Sequence, residues 1–260
     1  MRSVRLMYHD VYADAPDPRI PRTAATYHIS KDAFAEHLSV IEKSGNSVVT
    51  AGQTAPDSVG ITFDDGWAGA FEIAMPMLAE KGWKATFFIT RDFVNRAGFC
   101  DEDMIIEAAR QGMEIGVHGT THRVLSACTR EEMIYEWSAC KDFLETLTGK
   151  PVEHASLPGG DLNEEIIDCA KKCGLKSIST SIPGIHDADS DAFRIKRIPI
   201  RESTSATDLK RYCRFSAAPE VIYWTVFQLP KRLIGMRNYT RLRRHLMDRR
   251  AAGQREIFKP

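Results

Sequence analysis

Two short segments of this 260-residue chain carry side chains that could bind a metal ion and move a proton. Asp64 and Asp65 directly follow the apolar run 59–63, and His118 and His122 follow the run 114–117. One carboxylate with two imidazoles is a common ligand set for a catalytic metal that keeps positions open for water and substrate. The two segments together predict such a site, with one carboxylate left over for other chemistry.

Each segment taken by itself has a plainer interpretation. Asp64 and Asp65 stand before a glycine, which is also an ordinary turn sequence. The two histidines could face solvent from a helix, but Gly119 and the following pair of threonines are poor helix formers. We therefore predict a loop that can wrap around an ion. The occurrence of both segments at strand ends favours the metal site.

The elements that must position these residues alternate between strand and helix patterns. Short apolar runs bounded by turn residues indicate strands, and capping residues with 3.6-residue periodicity indicate helices. We predict strands at 6–9, 48–50, 59–63, 85–89, 114–117, 177–180 and 194–200, and helices at 31–44, 70–80, 104–111, 130–147 and 163–173.

Polar or small residues at the ends of several strands bear on the fold class. Candidate site residues follow four different strands, at 8–9, 64–65, 118–122 and 158–159. A doubly wound sheet concentrates its site at one crevice, whereas a parallel barrel brings many strand ends together. We therefore predict an α/β chain folded as a parallel barrel.

Three motifs in this order resemble the NodB-homology polysaccharide deacetylases, also called carbohydrate esterase family four. They are Thr-Phe-Asp-Asp-Gly at 62–66, His-x-x-x-His at 118–122 and the Pro-Gly-Gly segment within 155–163. Residues 7–11 are similar to the family's opening strand, and the resemblance covers roughly residues 4 to 200. It implies a distorted, incomplete (β/α) barrel, TIM-like, with about seven strands.

The resemblance also implies roles for individual residues. Asp64 would be the general base, and Asp65, His118 and His122 would bind one divalent metal ion. Zinc is the expected ion, although such a donor set also accepts cobalt, manganese, nickel or iron. The implied reaction removes N-acetyl groups from an amino sugar in a surface polysaccharide or its lipid-linked precursor.

Amide hydrolysis needs an activated water and a partner for the developing oxyanion, and a metal ion can supply both. A second oxyanion donor could be the backbone N–H of Gly159, where two glycines allow close approach to substrate. A plain turn is the alternative interpretation. We predict that His9, Pro158 and Gly160 contact the substrate.

The chain departs from the family pattern in three places. Ser156 and Leu157 stand where many members have an arginine that holds the base, so Arg197 is our candidate for that task, with an exposed charge as the alternative. The late histidine that protonates the leaving amine is missing, and His186 is the nearest candidate. Gly119 replaces a hydroxyl residue, and Thr120 or Thr121 could take over its hydrogen bond.

Two other functions stay open, the first from the substrates that relatives are expected to accept and the second from the missing arginine and late histidine. The same site could hydrolyse a small non-glycan amide or imide. Alternatively, the chain could be a glycan-binding or regulatory module that kept the metal ligands and lost turnover.

Composition suggests one barrel domain at 1–215 and a basic, partly apolar helical extension at 216–260. Between 231 and 250, eight lysines and arginines oppose one aspartate, a net charge of +7 in a chain that is neutral as a whole. The apolar run 221–227 lies just before it and is too short to span a bilayer.

This pairing is typical of a membrane-surface element, and a helix packed on the barrel is the alternative. Nucleic acid is not expected, because no binding motif accompanies the charge. The N-terminus lacks a signal-peptide pattern, and the six cysteines show no framework spacing. We therefore expect a cytoplasmic location, with peripheral contact to the inner membrane surface.

Overall fold

A computed structural model describes residues 2–16, 20, 22–187 and 189–234 of the chain. A parallel sheet curls through its centre, with helices on the outer side. The strands are β1 (Arg2–Tyr8), β2 (Asp10–Tyr12), β3 (His28–Ser30), β4 (Ser47–Val49), β5 (Ser58–Phe63), β6 (Thr86–Ile89), β7 (Glu114–Val117), β8 (His154–Ser156), β9 (Ser177–Ser179), β10 (Ile185–Asp187) and β11 (Ile198–Pro199). The helices are α1 (Arg22–Ala25), α2 (Lys31–Ser44), α3 (Met75–Glu80), α4 (Glu102–Arg110), α5 (Arg130–Thr148), α6 (Glu164–Lys172), α7 (Ala206–Cys213) and α8 (Ala218–Ile234).

The central strands follow the order β1, β5, β6, β7, β8, β9, and every neighbouring pair is parallel. Residues 195–199 then cross the gap between the two edges. Ile195 bridges Ser179 of β9, and β11 pairs with β1 through Leu6 and Ile198. Seven strands thus form a curled, irregular barrel, which confirms the predicted fold class. The barrel is incomplete, since only an isolated bridge at Ile195 and the two-residue β11 connect β9 with β1, and β7 and β8 share only the pair Val117 and Ala155.

Side chains of the sheet alternate between two environments. Tyr8 and Phe63 lie on the helix side, where their rings pack on each other with centroids 5.5 Å apart and against Phe34 of α2. The opposite side of the same strands is polar. It carries the buried Arg5 of β1, and Arg197 from the segment before β11 reaches it at Thr62; these arginines are 1% and 0% exposed. The barrel interior is therefore held by hydrogen bonds as well as by apolar packing.

Helix ends match the capping signals of the sequence. The side chains of Ser30, Thr129 and Asn163 accept hydrogen bonds from the first turns of α2, α5 and α6, and Thr129 forms a capping box with Glu132. These caps fix where each helix leaves the barrel.

Two predicted elements differ in detail. The helix predicted at 70–80 begins with a π-helical turn at Ala70–Ala74, because Pro76 has no N–H to continue an α-helical ladder. The strand predicted at 194–200 is broken. Arg194 ends a 3-10 turn, and only β11 forms a ladder, since this segment must pair first with β9 and then with β1.

Residues 235–260 lie outside the described part of the chain, so most of the basic extension predicted at 216–260 does as well. The described part of that extension is α8. Its exposed large apolar side chains are Val221, Ile222, Tyr223 and Val226. No helix among the described residues is both long enough and apolar enough to cross a bilayer.

Candidate metal site and carboxylate pair

The candidate site residues lie at the carboxyl ends of neighbouring strands. Asp64 and Asp65 come directly after β5, His118 comes directly after β7, and His122 ends the loop that follows. Since all these strands are parallel, their carboxyl ends meet at one mouth of the barrel. The structure therefore brings together the two segments singled out in the sequence.

The donor atoms of Asp65, His118 and His122 converge on one point. Asp65 Oδ1 lies 3.1 Å from Nε2 of each histidine, and all three donor atoms are within 4.8 Å of one another. Asp65 Oδ1 is buried, and the described residues give it no well-directed hydrogen bond. A buried carboxylate oxygen in that situation is a site for a cation. The three residues fit one divalent metal ion.

Neighbouring groups orient these ligands. His118 Nδ1 lies 3.0 Å from the carbonyl oxygen of Ser156, so this nitrogen donates and Nε2 presents its lone pair to the site. Trp67 Nε1 donates to Asp65 Oδ2 at 3.1 Å, which leaves Oδ1 for the ion. Burial alone would raise the pKa of Asp65, but the positive charge of His122 and the close Nε2 atoms of both histidines hold that pKa well below its usual range.

Two of the ligands have backbone torsions that are rare outside glycine. Asp65 has φ +76° and His122 has φ +60°. Such conformations cost roughly 1–3 kcal/mol each and persist where the surrounding structure enforces them. The strain turns both side chains toward the same point.

Asp64 is held by Arg197, as the sequence analysis proposed. The guanidinium donates to both carboxylate oxygens through Nη1 and Nη2, each at 2.7 Å, and Ser156 Oγ donates to Oδ2 at 2.8 Å. Burial alone would raise the pKa of Asp64, but the adjacent Arg197 charge lowers it below its ordinary value. Asp64 is therefore a fixed, ionised carboxylate beside the three side chains of the candidate metal site.

Glu136, which was not predicted from sequence, organises the histidine loop. This side chain is 2% exposed and lies on α5. Its Oε2 accepts the N–H groups of Thr120 and Thr121 at 2.8 Å each, and its Oε1 accepts the hydroxyl of Thr121. Because a Cβ on Gly119 would lie 3.0 Å from Glu136 Oε2, the glycine leaves room for this carboxylate. Thr121 thus supplies a local hydroxyl hydrogen bond, as suggested for a chain with Gly119.

A signal for Glu136 was present in the sequence. The apolar face of α5 contains Met133, Trp137, Cys140 and Leu144, and position 136 falls within that face. A glutamate among buried apolar positions must find hydrogen-bond donors, so it marks a functional or structural contact.

An aromatic cluster forms one wall of the site. Trp67 stacks on Phe99 with ring centroids 4.2 Å apart, and Phe93 packs on Phe99 at 4.7 Å. The Phe93 ring also lies 5.6 Å from the ring of His122. The cluster therefore supports Asp65 through Trp67 and His122 through Phe93.

The Pro-Gly-Gly segment lies beside the histidine loop. Gly159 and Gly160 have φ values of +71° and +72°, and a Cβ on Gly159 would lie 3.0 Å from a methyl group of Val124. Pro158 is buried next to Gly119. Only glycine adopts this turn without strain, so its backbone can approach a ligand at this mouth.

His9 and His186 lie at opposite ends of β1. His9 directly follows Tyr8, at the site end of β1, and its ring packs on Tyr27 at 4.7 Å. Its Nδ1 is buried, and no described residue bonds to it. His186 instead lies on β10, opposite Ser3 at the other end of β1, roughly 17 Å of strand away from Tyr8. The prediction that His186 protonates the product amine is wrong, because antiparallel β10 carries it to the wrong end of the barrel.

Comparisons with known proteins agree with this geometry. The polysaccharide deacetylase family model matches residues 51–178. A chitooligosaccharide deacetylase of Sinorhizobium fredii is 30% identical over 166 residues, which cover 60% of this chain and 71% of that protein. The chain belongs to the polysaccharide deacetylase family, as the resemblance indicated, and is therefore a hydrolase of the deacetylase class.

Solved structures show the same fold. The Streptococcus pyogenes deacetylase PplD, in complex with acetate, superposes with a TM-score of 0.72 at 22% identity, covering 80% of this chain and 96% of that one. A polysaccharide deacetylase from Bacillus cereus also gives a TM-score of 0.72 at 22% identity, covering 82% of this chain and 69% of that one. Arg197 lies outside the segment that the family model matches.

Proposed function

We propose that this protein is a metal-dependent N-deacetylase that acts on an N-acetylated amino sugar in a polysaccharide or its lipid-linked precursor. The observation that carries the proposal is the convergence of Asp65, His118 and His122 beside the ionised Asp64. Membership of the polysaccharide deacetylase family and the name of the Sinorhizobium fredii relative support the glycan substrate.

The site residues have two roles, metal binding and proton transfer. Asp65, His118 and His122 would hold a divalent ion, for which we propose zinc, with cobalt, manganese, nickel and iron compatible with the same donors. When bound, such an ion supplies Lewis-acid polarisation and acidifies water. Asp64 accepts the proton of the attacking water, because Arg197 keeps its carboxylate charged and fixed in place.

The remaining groups would bind the acetamide. The Gly159 N–H is our candidate for a donor to the developing oxyanion, since no Cβ shields that backbone. His9 offers an imidazole whose pKa is lowered chiefly by burial, so it faces the substrate as a neutral group. Pro158 and Gly160 would form the adjacent substrate wall. Since His186 is remote, we propose that Asp64 passes the proton it has gained to the leaving nitrogen.

The two alternative functions gain no specific support. An inactive module was suggested because the arginine that holds the base and the late histidine are missing from their usual motif positions. Arg197 now makes the contacts expected of the arginine. No described feature at this mouth is specific to a small amide or imide.

Acetate release tests the proposal. Metal-stripped protein is reconstituted with zinc, cobalt or manganese and incubated with N-acetylated oligosaccharides. Asp64→Asn and His118→Ala should each lose acetate release, and only His118→Ala should also lose metal binding. Asp168→Asn, an exposed aspartate on α6, is the matched control and should keep full activity. Equal turnover in Asp64→Asn and the parent would reject Asp64 as the base, and glycan binding without turnover in every metal form would favour the binding module.

We also propose that α8 and the basic segment after it contact an anionic membrane surface. Four neighbouring apolar side chains are exposed on α8, and the sequence continues with a net charge of +7 between 231 and 250. Apolar burial and attraction to anionic lipid would then act together. Vesicle co-sedimentation tests this, with Ile222→Asp expected to weaken binding and Thr225→Asp, also exposed on α8, as the control. Equal binding by both variants, or equal binding to neutral vesicles, would argue against it.

A cytoplasmic location is part of this proposal. All six cysteines are unpaired thiols, and four of them are buried, which suits a reducing compartment. Fractionation of cells should place the chain with the cytoplasmic and inner-membrane fractions.

A further inference from the structure

A cavity opens at the end of the barrel opposite the carboxylate pair. Its volume is about 480 Å³, and its lining includes Ser3 and Arg5 of β1, His154 of β8, Ser177 of β9 and His186 of β10. The pairing of Ser3 with His186 places it at the amino ends of the parallel strands, remote from Asp64. None of the groups proposed for the deacetylase reaction lines it.

Arg5 gives this cavity an unusual electrostatic character. The side chain is 1% exposed, and it donates only to carbonyl oxygens, from Nη1 to Thr50 at 2.7 Å and from Nη2 to Gln53 at 2.6 Å. Its Nε is buried without a hydrogen-bond partner, and no described carboxylate forms an ion pair with it. Burial lowers the pKa of Arg5 to about 10, and Glu114 only partly opposes that shift. Buried guanidinium groups are normally paired with an anion.

A second polar atom of the lining also lacks a partner. His186 Nδ1 is buried, and nothing in the described part of the chain bonds to it. Unsatisfied buried groups at a cavity wall indicate water or a ligand that completes their hydrogen bonds. Two residues that line this cavity from different strands, Arg5 and His186, each carry such an atom.

The carboxylates around the cavity are already engaged. Glu114 accepts hydrogen bonds from Thr50 and Thr86 hydroxyls, each at 2.8 Å. Asp187 lies at the exposed rim and accepts from Ser190 Oγ at 2.8 Å. Lys176 adds a cation at the rim, where it also pairs with Glu153 at 2.7 Å. The negative groups around the cavity therefore have other donors, and Arg5 is the lining cation that no described carboxylate pairs with.

We propose that this cavity is a binding site for a small oxyanion, a phosphate or carboxylate group, that offsets the charge of Arg5. The ligand enters from the open side, where the exposed Ala192 lines the rim, and its oxygens are surrounded by imidazole and hydroxyl donors. Because the site is separate from Asp64 and the metal ligands, ligand binding here is independent of the deacetylase reaction.

Titration of the metal-stripped full chain with sodium phosphate and, separately, sodium acetate tests the proposal. Calorimetry and thermal unfolding are run at constant ionic strength, with sodium chloride as the reference salt. At least one of the two anions should bind saturably and raise the unfolding temperature. Binding by phosphate alone or by acetate alone identifies which oxyanion the site takes.

Ala192→Glu places a negative charge at the rim, and Ala192→Gln is its neutral match. We expect about tenfold weaker binding in the glutamate variant and unchanged binding in the glutamine variant, because repulsion needs the charge. Arg5→Met should abolish binding, and the Ala192 pair keeps the test decisive if that variant does not fold. Absence of a saturable shift beyond chloride would overturn the proposal. So would equal affinity in the two Ala192 variants, or binding that His118→Ala removes.

Discussion

Removal of Arg197 should destabilise the protein through the carboxylate that it leaves behind. The guanidinium makes five hydrogen bonds, to the carbonyl oxygen of Thr180, the hydroxyls of Thr62 and Ser156, and both oxygens of Asp64. Arg197 and Asp64 are 0% and 3% exposed. Breaking a buried ion pair by removing one partner costs about 3–5 kcal/mol. We expect Arg197→Met to lower the free energy of unfolding by that amount at pH 7.

The loss of unfolding free energy in Arg197→Met should become smaller as pH falls. In the parent, Arg197 lowers the folded-state pKa of Asp64, so this carboxylate stabilises the fold above its unfolded pKa of about 3.9, and that contribution disappears as pH falls through the folded value. In Arg197→Met, burial remains without the cation, which raises the folded-state pKa. The variant then gains stability as pH falls from 7 toward 4. The difference in unfolding free energy between parent and variant should therefore shrink over that range.

A double-mutant cycle measures this directly. Urea unfolding is followed at pH 7, 6 and 5 in the presence of chelator, for the parent, Arg197→Met, Asp64→Asn and the double variant. Because Asp64→Asn removes the charge, the double variant should recover about 2 kcal/mol relative to Arg197→Met at pH 7. A pH-independent loss, or a double variant no more stable than Arg197→Met, would refute the reasoning.

Three further predictions concern the histidine loop. Glu136→Gln should weaken zinc binding about 10–100-fold in calorimetry while circular dichroism stays unchanged, because it removes the negative charge that the loop N–H groups and the Thr121 hydroxyl share. The exposed control Glu131→Gln should leave zinc binding unchanged. Gly119→Ala should lower the unfolding free energy by more than the roughly 1–2 kcal/mol of left-handed strain expected for Gly149→Ala, because only the former meets Glu136. Burial alone would lower the pKa of His122, but Asp65 has the larger net effect and raises that pKa above its usual value. Because this imidazole must then lose a proton to bind metal, zinc affinity measured by competition should fall about tenfold or more from pH 8 to pH 6.

The local features of the fold could be predicted from sequence because they depend on neighbouring residues. Apolar runs ending in Asp64 and His118 identified β5 and β7, and the capping residue Thr129 located the start of α5. Parallel strands then required that their carboxyl ends meet. The metal-binding set therefore followed from local pattern plus one topological rule.

Contacts between distant residues were harder to predict. Arg197 reaches Asp64 across 133 positions, and only the closing segment between β9 and β1 puts it there. His186 was misplaced because a histidine in a loop after a strand says nothing about strand direction. Antiparallel β10 reverses the chain and carries it to the amino end of β1. Glu136 required knowledge of which face of α5 meets the histidine loop.

The irregular seam of the barrel explains how the chain holds Asp64 without the family's usual arginine. Residues 195–199 pair with β9 at Ile195 and with β1 at Ile198, so Arg197 lies between the two pairings. Side chains of a regular strand alternate between the helix-facing side and the barrel interior. In this short crossing, Arg197 points into the barrel interior, where it donates to the hydroxyls of Thr62 and Ser156. The segment that connects β9 with β1 is therefore also the segment that orients Asp64. A substitution that loosens this seam should therefore reduce turnover before it affects the metal ligands, which come from β5 and β7.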